Sequence, residues 1–337
     1  MKNRSLMSAA VLTISMAWLG AGSATGQIAS EASNASSADP SVLETPWGQP
    51  SLQGIWDIHS ITRLERPDEF AGREFLTPEE ASELEQRARS ETTDEARQDD
   101  INRDLGQAYN DFWWDRATTV VPTLRTSLII DPPDGKVPPL TPDAQTRATV
   151  ERDHRPLRAT GGFEGGRGAD SWLDRSLWER CITQGLPRIA GRAYNSNLKI
   201  VQTPDHIALL HEQVHEVRII PLDGTPHLAQ SVRQYLGDSR GRWDGKTLVV
   251  ETTNFGEQTN FRGSTSGLRM VERFTRVDAD TLLYRVTFDD PTTWASPWTA
   301  EIPWKATAGP IFEYACHEGN YGMTGTLTGG RAEDKRH

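Results

Sequence analysis

The chain has 337 residues, of which 36% are hydrophobic and 25% are charged, and it contains 11 tryptophans. This composition is typical of a folded globular protein and excludes collagen-like, fully disordered and polytopic membrane classes. The formal net charge of −11 argues against binding to nucleic acid or to anionic membranes, because both depend on a basic surface.

Residues 1–26 have the three parts of a secretory signal peptide. Lys2 and Arg4 precede an apolar run over residues 6–19, and small residues follow it. The run is short of the roughly 20 residues that a membrane-spanning helix needs, although a membrane anchor is the alternative. We predict cleavage near Gln27, a mature net charge of 34 − 47 = −13, and a periplasmic or secreted protein without stable membrane insertion.

Two cysteines, Cys181 and Cys316, occur in the whole chain. In an oxidising compartment, two lone cysteines are better explained as one disulfide than as reactive thiols. The bridge would tie the middle of the chain to its end, and closing so long a loop stabilises a fold by roughly 4 to 5 kcal/mol in the chain-entropy model. Buried unpaired thiols are the alternative.

The first ordered elements are predicted after a disordered leader over residues 27–44, which is rich in Ser, Ala, Asn and Asp. Alternation over Ser51–Ile58 predicts a first strand, with Leu52, Trp56 and Ile58 on one face. Thr77-Pro78-Glu79-Glu80 then supplies an N-cap, a first-turn proline and a capping-box glutamate. A helical segment inserted over residues 76–120 is therefore predicted.

An aromatic cluster over residues 109–116 contains Trp113 and Trp114. It predicts either a core patch at one end of the fold or a wall on which a ligand stacks. Further along, β-type residues flank the turn sequence at 132–135, which predicts a β-hairpin, and Thr141-Pro142-Asp143 begins another short helix. The glycine-rich stretch at 161–168 lacks the Gly-Lys-Ser/Thr end of a phosphate loop and predicts a flexible loop.

A continuous β pattern begins at Asn197. Short turns at 243–246 and 277–281 make consecutive strands antiparallel neighbours. A meander of eight or more strands removes its edges by closing, and a barrel of about eight strands can hold one small ligand. The predicted strands are Leu198–Thr203, Ile207–His211, Val217–Leu222, Gln234–Leu236, Thr247–Phe255, Leu268–Arg276, Leu282–Phe288, Trp298–Trp304 and Ile311–Cys316.

The segment His211-Glu212-Gln213-Val214-His215 fits the His-Glu-x-x-His pattern of zinc peptidases. That chemistry needs a helix, which places both imidazoles on one face. The flanking residues are β-type, and on one straight strand His211 and His215 would lie roughly 13 Å apart. Around a hairpin at Gln213 they would face each other at about 5 Å, so a zinc site stays open as an alternative.

Two carboxylates, Glu251 and Glu272, lie within predicted strands of which one face should line the interior. An apolar interior desolvates the charged form of a carboxylate, and this favours its use as a general acid or base. The alternative for either glutamate is a salt bridge with one of the neighbouring arginines, which are Arg262, Arg269, Arg273 and Arg285.

The segment 315–322 places a thiol, an imidazole, a carboxylate, an amide and a phenol at one strand end. With Cys316 in a disulfide, His317 and Tyr321 would be preorganised at the mouth of the barrel, and this is the first choice for a functional site. Cys316 as a nucleophile paired with His317 is a weaker hypothesis, because adjacent residues of a strand point to opposite sides.

Gly54-x-Trp56 ahead of an antiparallel meander resembles the lipocalin and calycin pattern. The chain as a whole resembles a large family of exported, mostly uncharacterised bacterial proteins with many paralogues in soil and aromatic-degrading bacteria. The motifs that carry this resemblance are RTSLIIDPPDGKVPPLTPDA, SLWERCITQGLP, GDSRGRWDGKTLVVETTNF, VERFTRVDADTLLYRVTFDDP and YACHEGNYG. The resemblance implies a calycin-type barrel with a pocket for apolar molecules and a role as a lyase in the breakdown of lignin-type aromatics. His211 is not part of the family pattern, which argues against a peptidase.

We therefore predict a mainly β protein, with one antiparallel closed or nearly closed calycin-like barrel over residues 45–330 and a polar tail at 331–337. The predicted function is acid-base catalysis of lyase or isomerase type, without a cofactor, on a hydrophobic, aromatic small molecule. A non-catalytic carrier and a zinc hydrolase are the alternatives, and the oligomeric state is not indicated. Candidate catalytic residues are His317, Glu251, Glu272, Tyr321 and His215, and candidate substrate-binding residues are Trp56, Trp113, Trp114, Arg240, Asn254 and Asn320.

Overall fold

Ten strands form one antiparallel sheet in the computed structural model of the protein, which describes residues 43–90, 116–153, 171–189, 194–258 and 261–335. The strands are β1 (Gly54–Asp57), β2 (Ile129–Asp131), β3 (Asn197–Gln202), β4 (His206–His211), β5 (Glu216–Pro221), β6 (Asp238–Asp244), β7 (Thr247–Thr253), β8 (Arg269–Arg276), β9 (Thr281–Asp289) and β10 (Trp298–Thr307). The α-helices of the described residues are α1 (Pro78–Ser90), α2 (Pro142–Asp153) and α3 (Gly322–Asp334).

The strand order is β5-β4-β3-β1-β10-β9-β8-β7-β6, and β2 pairs with β10. A mainly antiparallel β fold is therefore confirmed. β1 lies between β3 and β10, so it joins the two meanders that consecutive strands form. The hydrogen-bonded order leaves β5 and β6 as its two ends, so the sheet is not closed.

Buried side chains alternate along most of the strands and define the inner face of the sheet. On β9 these are Leu282, Tyr284, Val286 and Phe288, and their cross-strand partners on β10 are Trp304, Ile302, Ala300 and Trp298. Ring centroids lie 4.3 Å apart for Tyr284 and Trp304 and 4.1 Å apart for Phe288 and Trp298, so the tryptophans build the core of the sheet.

An ion pair across the inner face shows that the sheet is strongly curled. Arg218 on β5 lies 2.5 Å from Glu272 on β8, although six strand-to-strand steps separate β5 from β8 in the sheet order. In a flat sheet those steps would span about 29 Å. Position 241 on β6 has room for glycine alone, because a Cβ there would lie 2.5 Å from the side chain of Leu222, just after β5. The two ends of the sheet therefore approach each other.

Several predicted elements are confirmed, with strand boundaries that differ by up to three residues. Leu52, Trp56 and Ile58 are all buried, as the alternation before and within β1 predicts. α1 begins as expected, because the Glu80 amide donates to the Thr77 hydroxyl and the Thr77 amide donates to the Glu80 carboxylate. At α2 the amide of Ala144 donates to the hydroxyl of Thr141.

Other predicted elements are wrong. The hairpin around residues 132–135 does not form, since β2 pairs with β10 and Leu140 bridges to Trp294. Residues 238–244 are not among the predicted strands, yet they form β6, because pairing with β7 satisfies their backbone despite the glycine and the charges. Residues 234–236 and 311–316 were predicted as strands and do not form them. A helix occupies residues 322–334, where the end of the barrel and a polar tail from residue 331 were predicted.

Some predictions fall outside the described residues. These are the signal peptide at 1–26, nearly all of the leader, the glycine-rich loop at 161–168, and residues 91–115 of the helical insertion with Trp113 and Trp114. Within the part of the chain that the structure describes, no helix combines the length and the apolar character needed to cross a membrane.

Candidate functional site

The predicted disulfide between Cys181 and Cys316 is present, with the two Cα atoms 5.7 Å apart. It fixes the segment after β10 against the loop that contains Cys181. Two hydrogen bonds hold the same segment on the turn between β4 and β5: the Phe312 amide donates to Glu212 at 2.7 Å, and His215 Nδ1 lies 2.9 Å from the Tyr314 carbonyl oxygen. An oxidised pair fits a compartment outside the cytoplasm.

The residues predicted next to that disulfide lie at the surface. Tyr321 is 84% exposed, and His317 is exposed as well. Asn320 is exposed and directs its amide toward Cys181 Sγ at 3.6 Å. The structure therefore does not bring His317 and Tyr321 together with the predicted carboxylates, and their catalytic role stays a prediction.

Glu251 takes part in a salt bridge, which was the alternative considered for it. Its carboxylate lies 2.6 Å from Arg269, and this hydrogen bond is the largest cause of a lowered pKa. Glu251 alternates with the buried residues Val250 and Thr252, so it does not belong to the inner face.

The predicted substrate-binding residues of the described segments have structural partners. Trp56 is fully buried, and its Nε1 donates to the Leu52 carbonyl oxygen at 3.0 Å. Arg240 pairs with Asp238 at 2.7 Å. The Asn254 amide donates to two backbone carbonyls at 3.0 and 3.2 Å. None of these contacts identifies a ligand.

The His-Glu-x-x-His segment does not form the helix that a zinc peptidase needs. It spans the end of β4 and a tight turn in which Val214 and His215 both have positive φ angles. His211 is buried and pairs across the strands with Glu216, whereas His215 is exposed. Glu212 accepts hydrogen bonds from Asn197 and Phe312 and is used for structure. Among the described residues no group of three or more potential ligands is arranged to hold a metal ion.

Glu272 is the predicted catalytic residue that does point into the fold, and it is 3% exposed. It accepts a hydrogen bond from Arg218 Nη2 at 2.5 Å and one from the Tyr284 hydroxyl at 2.9 Å. Burial, followed by the charge of Glu272, raises the pKa of Tyr284 well above its usual value, so the phenol stays protonated. Both oxygens of Glu272 are therefore engaged, and this residue fixes Arg218 in place.

A second group of polar side chains adjoins Arg218 at the end of the sheet where β4 turns into β5. Glu216 accepts a hydrogen bond from the Thr183 hydroxyl through Oε2, while its buried Oε1 has no partner among the described residues. Burial raises the pKa of Glu216, and the charges of Arg188 and Arg218 oppose that shift. A buried carboxyl group with a raised pKa is suited to act as a general acid or base.

His211 faces Glu216 across the two strands on the inner face. Its pKa lies well below the usual 6.5, first because the ring is buried and then because of the charges of Arg188 and Arg218. The imidazole is therefore neutral at neutral pH and can donate or accept a hydrogen bond. Six residues are linked because the charges of some shift the pKa values of others, and we call them the inner polar cluster. They are Arg188, His211, Glu216, Arg218, Glu272 and Tyr284.

An open groove of about 1020 Å³ borders this cluster, and Glu216 is the member of the cluster that lines it. It runs between the start of β5 and the segments that precede β6 and follow β7, and we call it the Glu216 groove. Its walls include Ile182, Val214, Val217 and Leu236, and Glu216 also lines it. Glu216 is thus both a wall of an open groove with apolar sides and a member of the inner polar cluster.

Sequence reasoning missed Arg188, Glu216 and Arg218. In β5 the apolar Val217 and Ile219 are 51% and 55% exposed, while Glu216 and Arg218 are buried. The alternating charges over Glu216–Arg218 were visible in the sequence, but an amphipathic strand normally turns its apolar face inward. Pairing of Glu216 with His211 and of Arg218 with Leu209 sets the opposite orientation.

Comparisons of the chain with protein-family models, with curated proteins and with solved structures find no match.

Proposed function

We propose that the protein is an exported acid-base enzyme, of lyase or isomerase type, that acts on an apolar, aromatic small molecule inside a nearly closed barrel of calycin type. The observation that carries the proposal is the double position of Glu216, which lines an open groove and has an unpartnered buried oxygen. A carboxyl group that borders a groove and has a raised pKa is a common form of a general acid or base.

Each member of the cluster has a role in this proposal. Glu216 transfers the proton, because its Oε1 is not engaged by another group of the described residues. His211, as a neutral imidazole opposite Glu216, donates a hydrogen bond to a substrate oxygen. Arg218, held by Glu272, supplies positive charge where negative charge develops on the substrate. No cofactor is needed for this proton transfer.

Glu216→Gln is expected to lower the proton-transfer rate by about a hundredfold, because it removes the titrating group and keeps the shape of the side chain. The measurement is incorporation of deuterium from D₂O into a panel of aromatic compounds with acidic C–H bonds, followed by NMR. Glu257→Gln is the matched control, since Glu257 is an exposed carboxylate that lines the same groove. Undiminished exchange by the Glu216 variant would refute the assignment.

The non-catalytic carrier is the second candidate, and the apolar walls of the Glu216 groove also fit it. In that case aromatic ligands would quench tryptophan fluorescence in a saturable way, and no compound of the panel would exchange its protons in the presence of the wild-type protein. The same two measurements therefore separate the enzyme from the carrier.

The neutral state of His211 predicts a pH dependence of stability. Its pKa in the folded protein is well below 6.5, so below that pH the unfolded chain binds a proton that the folded chain does not bind, and stability falls on acidification. When the pH falls from 6.5 to 5.5, the free energy of unfolding should decrease by about 1 kcal/mol more in the wild type than in His211→Gln. Urea unfolding at the two pH values measures this difference. His206→Gln, at the exposed start of β4, is the control. Equal losses in the wild type and His211→Gln would contradict a buried neutral imidazole.

A further inference from the structure

Two hydrogen-bond donors of Arg188 have no acceptor in the described part of the protein. Its Nε and Nη2 atoms are buried, and neither has a hydrogen-bond partner. These two N–H groups lie on the same edge of the guanidinium plane and point in nearly the same direction. That edge is the one that binds both oxygens of a carboxylate through two parallel hydrogen bonds.

Such an edge is unusual inside a folded protein, because buried donors are nearly always paired. Arg188 forms no ion pair with a carboxylate of the described residues, although Glu216 is near enough to influence its pKa. Burial lowers that pKa to about 10, so the group still carries its charge at neutral pH. Nε of Arg218 and Oε1 of Glu216 are buried and unpartnered in the same cluster. Four buried polar atoms without a hydrogen-bond partner among the described residues therefore lie in this one cluster.

The charges of the cluster indicate the charge of the missing partner. Arg218 and Glu272 neutralise each other, and His211 is neutral. When Glu216 carries its proton, Arg188 leaves one positive charge without a counterion. A monoanion balances that charge, whereas a dianion such as a phosphate monoester would leave one negative charge in a desolvated site.

We propose that the ligand of this site is an aromatic or apolar monocarboxylate whose carboxylate binds Nε and Nη2 of Arg188. The inference rests on the proposed function for the position of the ligand beside Glu216. The apolar part of the ligand contacts the walls of the Glu216 groove, and its reacting carbon lies next to Glu216 Oε1. The substrate is then an aromatic acid, and the enzyme moves a proton on its side chain.

The test uses three probes of similar shape: cinnamate, cinnamamide and phenyl phosphate. Binding to the full mature protein is measured by quenching of tryptophan fluorescence at pH 7. The wild type should bind cinnamate about tenfold or more tightly than either of the other probes, because only the monocarboxylate offers the matching charge and geometry. Equal affinity for cinnamate and cinnamamide, or a preference for phenyl phosphate, would overturn the proposal.

Arg188→Met should lower the affinity for cinnamate about tenfold and leave that for cinnamamide within about twofold. Arg188→Lys keeps the charge without the paired donors and should also lose most of the preference, which provides a second variant if the methionine variant is unstable. Arg233→Met is the matched control, because Arg233 lines the same groove but donates to the Ser266 carbonyl oxygen at 2.6 Å. Loss of the preference in the Arg233 variant, or its retention in both Arg188 variants, would overturn the assignment.

The two proposals can fail separately. Carboxylate preference that depends on Arg188, without deuterium exchange on any compound, would support this inference and refute the enzymatic function. Exchange that depends on Glu216, with equal binding of cinnamate and cinnamamide, would support the function and refute the carboxylate contact.

Discussion

Replacement of Arg218 by methionine is expected to lower the free energy of unfolding by about 3 to 5 kcal/mol, because it leaves a buried charge without its partner. Glu272 would keep the hydrogen bond from Tyr284 but lose the guanidinium at 2.5 Å. The carboxylate lies beside Phe274 and Tyr284 on the inner face, where water cannot replace the lost contact. Urea unfolding at pH 7 measures the effect.

Arg269→Met is the matched control for Arg218→Met. Arg269 forms a hydrogen-bonded pair with Glu251 at 2.6 Å, but the arginine side chain is 48% exposed, so its loss should cost less than about 1 kcal/mol. The double variant Arg218→Met with Glu272→Leu should recover much of the stability, since no unpaired charge then remains. Equal, small losses in Arg218→Met and Arg269→Met would show that Glu272 is not desolvated.

The buried ion pair also accounts for the position of the inner polar cluster. β5 is an end strand, and its hydrogen bonds to β4 alone leave its orientation relative to β8 open. The contact between Arg218 and Glu272 spans the inner face and brings the two ends of the sheet toward each other. The same arginine influences the pKa values of His211 and Glu216. A single side chain therefore links the curl of the sheet to the electrostatics of the candidate site.

Local patterns in the sequence predicted the parts of the fold that local physics determines. The strands from β7 to β10 follow from alternation and short turns, because each pairs with its neighbour in the chain. The start of α1 follows from the capping sequence at Thr77, and the disulfide follows from two cysteines in a chain that is predicted to be exported. Alternation along β8 places Glu272 on the same face as Met270 and Phe274, and all three are buried.

The site could not be predicted in the same way, because distant segments form it. The inward orientation of Glu216 depends on the register with β4, which the alternation of β5 alone contradicts. Arg188 lies in a segment without regular structure, so no periodicity indicates its direction. The histidine motif has the spacing of a helical zinc site, but its β-type flanks favoured strands, and the pairing of β4 with β5 makes it a turn. Tertiary contacts therefore decide where Glu216 and Arg188 lie.

Removal of the disulfide by Cys181→Ala together with Cys316→Ala is expected to lower the free energy of unfolding by about 4 to 5 kcal/mol. The bridge closes a loop with a sequence separation of 135, so it restricts the unfolded chain strongly. The value is an upper figure, because compact unfolded chains gain less freedom than the chain-entropy model assumes. Thermal and urea unfolding of the double variant measure the loss.

The same double variant is also expected to weaken ligand binding in the Glu216 groove, which Cys181 lines. Without the bridge, the segment after β10 is held on the turn between β4 and β5 by the contacts of Phe312 with Glu212 and of Tyr314 with His215. Reduction of the wild type by dithiothreitol should reproduce both losses, and dithiothreitol should not change the double variant further. If the double variant matches the oxidised wild type in both unfolding and cinnamate binding, the bridge stabilises neither the fold nor the groove. The two hydrogen bonds would then be sufficient to fix the segment after β10.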